Sequence, residues 1–270
     1  MTVAPWIALP GLGLAVVTLI MTTLWLLGLR FRNFSYVDIG WSANFAVLAI
    51  LYASVTDGWL PRRWLIAAMF TFWGLRLAAH LATRIVGEPE EGRYVQLREE
   101  WGRKGNVNAK FLAFFLFQGV LNVLLVLPLL IACMNPAPAM RPLEVAGVAV
   151  WLLGLIGESL ADRQLAAFKR NPEHRGKVCN TGLWRYSRHP NYFFEWTIWI
   201  GYALFALASP FGWIALAMPL LMLHFLVNVT GVKPTEEQAL RSRGDAYRAY
   251  QATTSAFVPL PPKKPSAHCD

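Results

Sequence analysis

The sequence predicts an all-α integral membrane protein: a bundle of seven transmembrane helices followed by an interfacial C-terminal helix. Hydrophobic residues make up 56% of the 270 residues, charged residues only 15%, and the mean hydropathy is +0.39. A soluble domain has roughly a quarter of its residues charged. The apolar residues lie in runs of about 20, the length that a helix needs to cross a bilayer. Sustained strand alternation is missing from the sequence, which favours helices over a closed barrel.

The seven spans follow from these apolar runs, taken in chain order with approximate ends. They cover residues 5–29, 37–56, 64–83, 111–133, 143–161, 192–208 and 211–230. The first run lacks a basic leading region and a small-residue cleavage site, so we expect a retained span and not a signal peptide. We expect a helix over residues 235–251 to lie along the membrane. Residues 1–258 are predicted to form a single transmembrane domain, and the proline-rich residues 259–270 a disordered tail.

The basic residues are unevenly distributed between the loops. Nearly all of the 25 Lys and Arg fall after the first, third and fifth spans or after the last span. Because basic loops stay in the cytoplasm, this bias predicts a cytoplasmic C-terminus and an N-terminus outside. The net charge of +9 therefore indicates topology and contact with anionic membrane lipid. Nucleic-acid binding is disfavoured, because it needs basic residues on the face of a soluble module.

Cysteine and histidine give no metal or disulfide signal. The three cysteines have no CxxC spacing, and the five histidines form no HxxH or HExxH pair. We therefore expect neither a disulfide framework nor a bound metal ion. We expect a monomer whose partners are a lipid substrate and the surrounding membrane lipid.

Polar residues inside the second and third spans are candidates for function, because lipid cannot solvate them. Asp38 and Trp41 lie three residues apart, with Asn44 one turn further, so Asp38 and Trp41 can share a helix face. Asp38 either caps its helix at the interface or faces an internal cavity. Arg76 either forms a structural ion pair, with Asp38 as a candidate partner, or contacts a phosphate or cofactor. The stripe in the third span comprises Trp73, Arg76, His80 and Arg84.

Residues 183–195 concentrate polar groups where the sixth span begins. Pro190 suits a first helical turn, and Arg185, Arg188 and His189 come directly before it. A helix N-terminus with adjacent arginines is a ready anion site. Asn191 and Glu195 lie four apart on one face of the same helix. Further candidates for contact with a cytoplasmic ligand are Arg93 and Tyr94 in the loop 84–110 and Asp162 and Lys169 beyond the fifth span.

Taken together, these residues resemble the membrane-integral steroid 5-alpha-reductase superfamily in its bacterial branch, the domain-of-unknown-function 1295 type, over residues 35–258. Residues 182–195 resemble that family's G-L-[FW]-x-Y-x(4)-N-[FY]-x-G-E pattern, with Phe194 where the family has glycine. The runs Tyr36-Val37-Asp38-Ile39-Gly40-Trp41-Ser42 and Arg93-Tyr94 resemble the bacterial branch in particular. The resemblance implies a lipid substrate that enters from the bilayer and an NADPH cavity open to the cytoplasm. The residues that it places around NADPH are Asp162, Lys169, Tyr186, Asn191 and Glu195.

The predicted function is NADPH-dependent reduction of the 4,5 double bond of 3-oxo-4-ene steroids or similar lipid enones, with hydride delivered to the beta carbon. Asp38 aligns with the acid that the family carries in its second span, so Asp38 and the neighbouring donor Tyr36 are expected to act on the substrate carbonyl. Trp41 and Trp73 are expected to contact the substrate, with Trp73 where the resemblance expects a tyrosine. The expected cofactor ligands are Asn44, Arg76, Arg84, Arg93, Tyr94, Asp162, Lys169, Arg185, Tyr186, Arg188, His189, Asn191, Tyr192 and Glu195.

Two other functions stay open at this point. The pattern Arg188-His189-Pro190-x-Tyr192, followed by Glu236-Glu237 and then Tyr247 and Tyr250, is also similar to isoprenylcysteine and phospholipid methyltransferases, which bind S-adenosylmethionine. The seven spans and the Tyr-Val-Asp-Ile-Gly-Trp segment favour the reductase. A non-catalytic transporter is compatible with Arg76 and Asp38 inside the membrane, but the sequence lacks the paired inverted repeats that would support one.

Overall fold

The computed structural model describes residues 4–103 and 105–263 and confirms the predicted all-α class. Across these residues the regular structure is helical, and the one strand-like pairing is an isolated bridge between Ser187 and Ser255. The chain divides into two compact units. The first comprises the residues up to Met140 together with Ser209–Phe211, and the second comprises Arg141–Ala208 and the residues from Gly212 onward.

The described part of the first unit is built from helices α1 to α6. They are α1 Ala4–Phe31, α2 Tyr36–Val55, α3 Leu60–Ile85, α4 Gly92–Gly102, α5 Val107–Leu125 and α6 Leu127–Cys133. α5 and α6 follow each other across Val126 and together make one span-length stretch. The break falls there because Pro128 has no N–H to donate to the preceding turn.

Close packing joins the helices of the first unit. A Cβ at Gly74 of α3 would lie 2.8 Å from the carbonyl oxygen of Ser42 in α2, so only glycine allows this approach. Next to it, the rings of Phe45 and Trp73 meet edge to face at 5.2 Å. A second apolar cluster joins α1, α2, α4 and α5 and contains the buried residues Met21, Phe34, Val37, Tyr94, Phe111 and Phe115. Tyr94 thus ties the short helix α4 to the membrane helices.

The second unit contains two long helices and a C-terminal helical region. Its helices are α7 Pro142–Arg170, α8 Pro190–Leu207, α9 Ala217–His224, α10 Val232–Arg243 and α11 Asp245–Thr253. Shorter turns are the 3-10 segments Pro172–His174, Gly182–Arg185 and Gly212–Leu216 and the π-helical segment Phe225–Val229. The π-helical segment connects α9 to α10.

Glycines let α7 and α8 pack backbone against backbone. A Cβ at Gly154 would lie 2.8 Å from the carbonyl oxygen of Phe194, and a Cβ at Gly201 would lie 2.7 Å from the amide nitrogen of Trp151. Gly157 of α7 lies directly against the ring of Phe194. Phe194 stands where the family pattern has glycine, and the space for its ring comes from the glycine on the opposite helix.

Within the described ranges 4–103 and 105–263, six helical stretches are long and apolar enough to cross a membrane. They are Trp6–Phe31, Tyr36–Val55, Leu60–Ile85, Val107–Cys133, Pro142–Arg170 and Gly212–Arg243. The predicted count of seven is not reproduced in full. The predicted span 192–208 forms α8, but this helix of 18 residues is not among the six. Its first two turns include Asn191 and Glu195, which lower the hydropathy of a helix that is barely long enough to span.

The predicted interfacial helix over residues 235–251 needs a correction, because it is two helices. α10 forms the end of the last span-length stretch, Gly212–Arg243, and Gly244 separates it from α11 with a φ of +50°, a conformation that glycine adopts readily. In the predicted tail, residues 264–270 lie outside the described residues. Before them, the N–H of Leu260 donates to the carbonyl of Tyr186, and that of Lys263 donates to the carbonyl of Thr253. The orientation of the termini across the membrane stays a prediction.

Candidate active site

Asp38, Arg93 and Tyr94 form a hydrogen-bonded cluster in the first unit. The Nη2 of Arg93 donates to both carboxylate oxygens of Asp38 at 2.9 Å. The hydroxyl of Tyr94 donates to Oδ1 of Asp38 at 2.7 Å and accepts from the same Nη2 at 2.5 Å. Each of the three side chains is therefore held in place by the two others.

The cluster joins the beginnings of two helices. Asp38 lies in the first turn of α2, where a carboxylate also interacts favourably with the helix dipole. Arg93 and Tyr94 lie in the first turn of α4. α4 is fixed against the turn before α2, because the N–H of Glu91 donates to Oγ of Ser35 at 2.9 Å. Asp38 therefore lies at the N-terminus of α2, and its counterion, Arg93, comes from α4, which packs against that end.

Burial differs sharply within the cluster. Tyr94 is fully buried, whereas the side chains of Asp38 and Arg93 are 20% and 45% exposed. Burial and the neighbouring carboxylate of Asp38 raise the pKa of Tyr94 well above its ordinary value. The Tyr94 hydroxyl therefore stays protonated at physiological pH. The guanidinium of Arg93 has an accessible edge and is oriented by the Asp38 carboxylate and the Tyr94 hydroxyl, so it can bind a polar group on which negative charge develops.

Aromatic rings and an amide pair continue along α2 from the cluster. The rings of Trp41 and Phe45 meet edge to face at 4.9 Å, and Phe45 in turn contacts the fully buried Trp73. The Nδ2 of Asn44 donates to Oδ1 of Asn122 at 3.1 Å, and the Nδ2 of Asn122 donates to the carbonyl of Trp41 at 3.0 Å. Asn44 therefore links α2 to α5, and its role as a cofactor ligand stays a prediction.

Three polar residues lie differently from what the sequence indicated. The hydroxyl that donates to Asp38 belongs to Tyr94, whereas the ring of Tyr36 packs edge to face on Phe31 at 6.2 Å. The ion-pair partner of Asp38 is Arg93 and not Arg76. Arg84, an expected cofactor ligand, pairs with Glu91 at 2.9 Å.

A second polar cluster, in the second unit, is centred on Arg188. Its Nε donates to Oε1 of Glu236 at 2.6 Å, and its Nη1 donates to the carbonyls of Gln251 and Thr254 at 3.1 and 2.5 Å. The Nε2 of His189 lies 3.3 Å from the same Glu236 oxygen. The Nε2 of Gln251 donates to the other carboxylate oxygen of Glu236, Oε2, at 2.9 Å. Arg188 thus fastens the segment before α8 to α10 and to the end of α11.

The polar side chains of α8 begin next to this cluster. The ring of Tyr192 stacks on that of His189 at 5.5 Å, and its hydroxyl lies 3.4 Å from Oγ1 of Thr235. Asn191 and Glu195 are half-buried on the following turns of α8. On α7, Asp162 is half-buried and Lys169 is exposed. The second unit therefore contains the family-pattern residues of α7 and α8.

Arg185 and Tyr186 lie at the outer side of the same segment and are both exposed. Arg185 lines a cavity of about 370 Å³ together with Asn180, Tyr250, Thr253 and other residues of α11 and the following turn. Burial and neighbouring charges raise the pKa of Tyr250 well above its ordinary value, so its hydroxyl stays protonated. This hydroxyl donates to the carbonyl of Trp184 and fixes the wall of the cavity.

Two residues that surround Arg188 were not predicted as its partners from the sequence. Glu236 appeared only in the methyltransferase-like pattern, and Gln251 did not appear at all. Both surround Arg188, which the sequence assigned to a cofactor phosphate. A charge balance between the arginine-rich segment before α8 and the acidic residues of the C-terminal helix is the signal that indicates Glu236.

The fold and the two clusters define a multi-pass α-helical membrane protein with buried polar groups at the ends of its helices. Residues 24–254 match the model of the family described as protein of unknown function (DUF1295). The chain belongs to this family, which is part of the steroid 5-alpha-reductase superfamily. Comparisons with curated proteins and with solved structures each found no match.

Proposed function

We propose that this protein is an NADPH-dependent reductase that saturates the 4,5 double bond of a 3-oxo-4-ene steroid or a similar lipid enone. Membership of the family supports a steroid-reductase-like membrane protein. The observation that carries the finer proposal is the cluster of Asp38, Arg93 and Tyr94 at the beginning of a span-length helix. Ionisable residues in a membrane span are costly to insert, so they mark a candidate functional site.

The cluster suits the charge changes of enone reduction. Adding hydride to the beta carbon moves negative charge onto the carbonyl oxygen and gives an enolate, which a proton then converts to the saturated ketone. Fixed donors aimed at such an oxygen typically accelerate a reaction by about 10²- to 10³-fold each. We propose that the accessible edge of Arg93 meets the carbonyl oxygen and that Asp38 and Tyr94 hold its guanidinium in position. Asp38 therefore acts through Arg93.

Residues of the second unit fit a phosphate-bearing nucleotide. When bound, NADPH supplies the hydride. Arg185 is an exposed cation beside a cavity that also presents Asn180 and Thr253, which suits a phosphate or a ribose. The resemblance assigns further contacts to Asp162, Lys169, Tyr186, Asn191 and Glu195. In Arg188, Nε and Nη1 bind Glu236 and two backbone carbonyls, so a phosphate contact would have to use its Nη2.

The test is a comparison of ligands on the purified full-length protein. NADPH should raise the thermal midpoint, because a ligand that binds only the folded state stabilises it. With progesterone and NADPH deuterated at the transferable position of nicotinamide C4, the product should carry deuterium at the beta carbon. Stabilisation by S-adenosylmethionine and none by NADPH would overturn the proposal.

A methyltransferase is the second candidate, and one observation favours it. Arg188, His189 and Glu236, all part of the methyltransferase-like pattern, lie together in one cluster. Burial and the charge of Glu236 also raise the pKa of the nearby Tyr247 to about 12. The ligand comparison separates the two candidates, because only a methyltransferase would be stabilised by S-adenosylmethionine.

A further inference from the structure

A basic cavity at the end of α1 has no part in the proposed reaction. It has a volume of about 380 Å³ and is lined by Gly28, Leu29, Arg32, Phe34, Arg98 and Asn108. All of these residues belong to the first unit. One candidate span ends at Phe31 and another begins at Val107, so the cavity lies where two span-length helices have their ends. Lipid headgroups occupy this level of a membrane.

Arg32 stands where glycine would be favoured. Its φ is +54°, and the N–H of Asn33 donates to the carbonyl of Gly28 at 3.0 Å, which is the bond that closes a helix after a left-handed residue. Glycine adopts this conformation freely, whereas a residue with a Cβ is disfavoured there. The Arg32 side chain is exposed and forms no ion pair within residues 4–103 and 105–263. A strained arginine that lines a cavity points to a role for its side chain.

Arg98 presents a fixed donor to the same cavity. Its Nε and Nη2 bind both carboxylate oxygens of Glu90, and its guanidinium lies over the rings of Phe34 and Phe111 at 4.9 and 5.7 Å. Its Nη1 makes no hydrogen bond to any described residue. A guanidinium held on one edge and available on the other is preorganised for an oxyanion.

Other groups around the cavity also favour an anion. Asn108 lies in the first turn of α5, at the positive end of a 19-residue helix, with its carbonyl held by the indole N–H of Trp25 at 3.0 Å. The carboxylate bound to Arg98 is that of Glu90, and it is 9% exposed. The N–H of Phe34 binds it as well, at 2.7 Å. The charge that the cavity presents to a ligand is therefore positive.

We propose that this cavity binds the phosphate group of an anionic membrane lipid. Basic pockets beside transmembrane helices are suited to anionic headgroups. The same phosphate chemistry would accept a free phosphate ion, but the surroundings favour a lipid. The last turns of α1 next to the cavity expose Leu26, Leu27 and Phe31, at 54%, 41% and 59%, and these side chains offer a surface for acyl chains.

The experiment measures binding to the detergent-purified full-length protein. Dioctanoyl phosphatidylglycerol, dioctanoyl phosphatidylcholine and inorganic phosphate are titrated separately, with the shift in thermal midpoint as the readout. Wild-type protein should bind the phosphatidylglycerol most tightly. Arg32→Gly should weaken this binding about fivefold, the worth of one basic residue near an anionic headgroup. Without lipid it should be at least as thermally stable as wild type, because glycine relieves the left-handed strain.

Two further variants separate the loss of the Arg32 side chain from a general loss of positive charge. Arg103→Gly removes the same charge from an exposed position at the end of α4, outside the cavity, and should leave the affinity within twofold of wild type. Arg32→Asn also loses the charge while tolerating a left-handed backbone, and should behave like Arg32→Gly. Equal phosphatidylglycerol affinity in wild type and both Arg32 variants would overturn the proposal, as would an equal loss in Arg103→Gly. Inorganic phosphate binding as tightly as phosphatidylglycerol would assign the cavity to a free ion.

Discussion

The hydroxyl of Tyr94 donates a 2.7 Å hydrogen bond to the carboxylate of Asp38, although 56 positions separate the two residues. This bond and the paired guanidinium of Arg93 connect the short helix α4 to the beginning of a membrane span. A single acid thereby orients two proton donors of different kinds. The chemistry proposed for the protein depends on this arrangement more than on any one of the three groups.

Asp38→Asn should lower the kcat for progesterone reduction by about 10²-fold, because the asparagine keeps the shape of the side chain but loses the charge that orients Arg93 and Tyr94. NADPH affinity should stay close to the wild-type value. The effect belongs in kcat, since the contact with the carbonyl oxygen strengthens as charge develops on it. Steady-state kinetics and a binding titration measure the two quantities.

Asp57→Asn is the matched control, because Asp57 is an exposed acid in the turn after α2. It should leave kcat unchanged. Unchanged turnover in Asp38→Asn would remove Asp38 from the mechanism. Loss of folding in Asp38→Asn, with Asp57→Asn folded, would show that the Asp38–Arg93 pair is mainly structural.

Tyr94→Phe should lose less unfolding free energy than the wild-type protein as the pH rises above about 10. The pKa of Tyr94 is raised in the folded protein by burial and by Asp38. Its contribution is therefore fully present below the unfolded pKa of about 10 and is lost as pH rises above it. The gap in unfolding free energy between wild type and Tyr94→Phe should narrow by up to about 1.4 kcal/mol per pH unit above pH 10. Thermal unfolding in detergent between pH 9 and 11 measures this gap, and a constant gap would contradict a raised pKa.

The helices and the acid at the beginning of α2 could be predicted from the sequence, whereas the partners of that acid could not. Apolar runs of span length report directly on helices in a membrane, and an aspartate at the start of such a run is conspicuous. Helix-face arguments reach only three or four residues along the chain. Arg93 lies 55 positions from Asp38 on a short helix with little apolar periodicity, so its role needed the tertiary structure.

The same limit explains the cofactor assignment of Arg188. Arginines before a helix N-terminus predict an anion site, and Arg188 belongs to that group. In the folded chain, Glu236 from a helix 48 positions away accepts the Nε hydrogen bond of Arg188, and the cofactor role of Arg188 stays a prediction. A sequence can indicate that an arginine needs an anion, but only the fold determines which one.

The pair of Arg188 and Glu236 should show strong coupling in a double-mutant cycle. Their side chains are only 10% and 16% exposed and lie 2.6 Å apart. Removing one partner leaves a poorly solvated charge, so we expect a coupling energy of about 1–3 kcal/mol between Arg188→Ala and Glu236→Gln. Chemical or thermal unfolding of the two single variants and the double variant gives the value.

Arg248 and Asp245 provide the control pair, because they lie 2.8 Å apart but are 71% and 95% exposed. An exposed pair of this kind contributes little to stability. The cycle of Arg248→Ala and Asp245→Asn should therefore show no resolvable coupling. Equal coupling in both pairs would mean that the Arg188 cluster does not fasten the C-terminal segment.

Reporter fusions at the two termini should place the C-terminus in the cytoplasm and the N-terminus outside. The prediction rests on the concentration of Lys and Arg in alternate loops. It also requires α8 to cross the membrane, although its polar first turns leave it outside the six most apolar stretches. Both termini on one side would mean that α8 does not span.

Asn191→Ala and Glu195→Ala should each weaken NADPH binding by about tenfold while leaving the protein folded and inserted. Both side chains are half-buried on one face of α8, next to the segment that Arg188 fastens. A hydrogen bond to a charged or strongly polar ligand typically contributes about 1.5 kcal/mol, which corresponds to roughly tenfold in affinity. Glu237→Ala removes a carboxylate from an exposed position on α10 and should bind NADPH normally. Fluorescence titration of NADPH compares the three variants, with thermal midpoints as a check on folding. Normal affinity in both α8 variants would mean that Asn191 and Glu195 serve only to pack α8 against its neighbours.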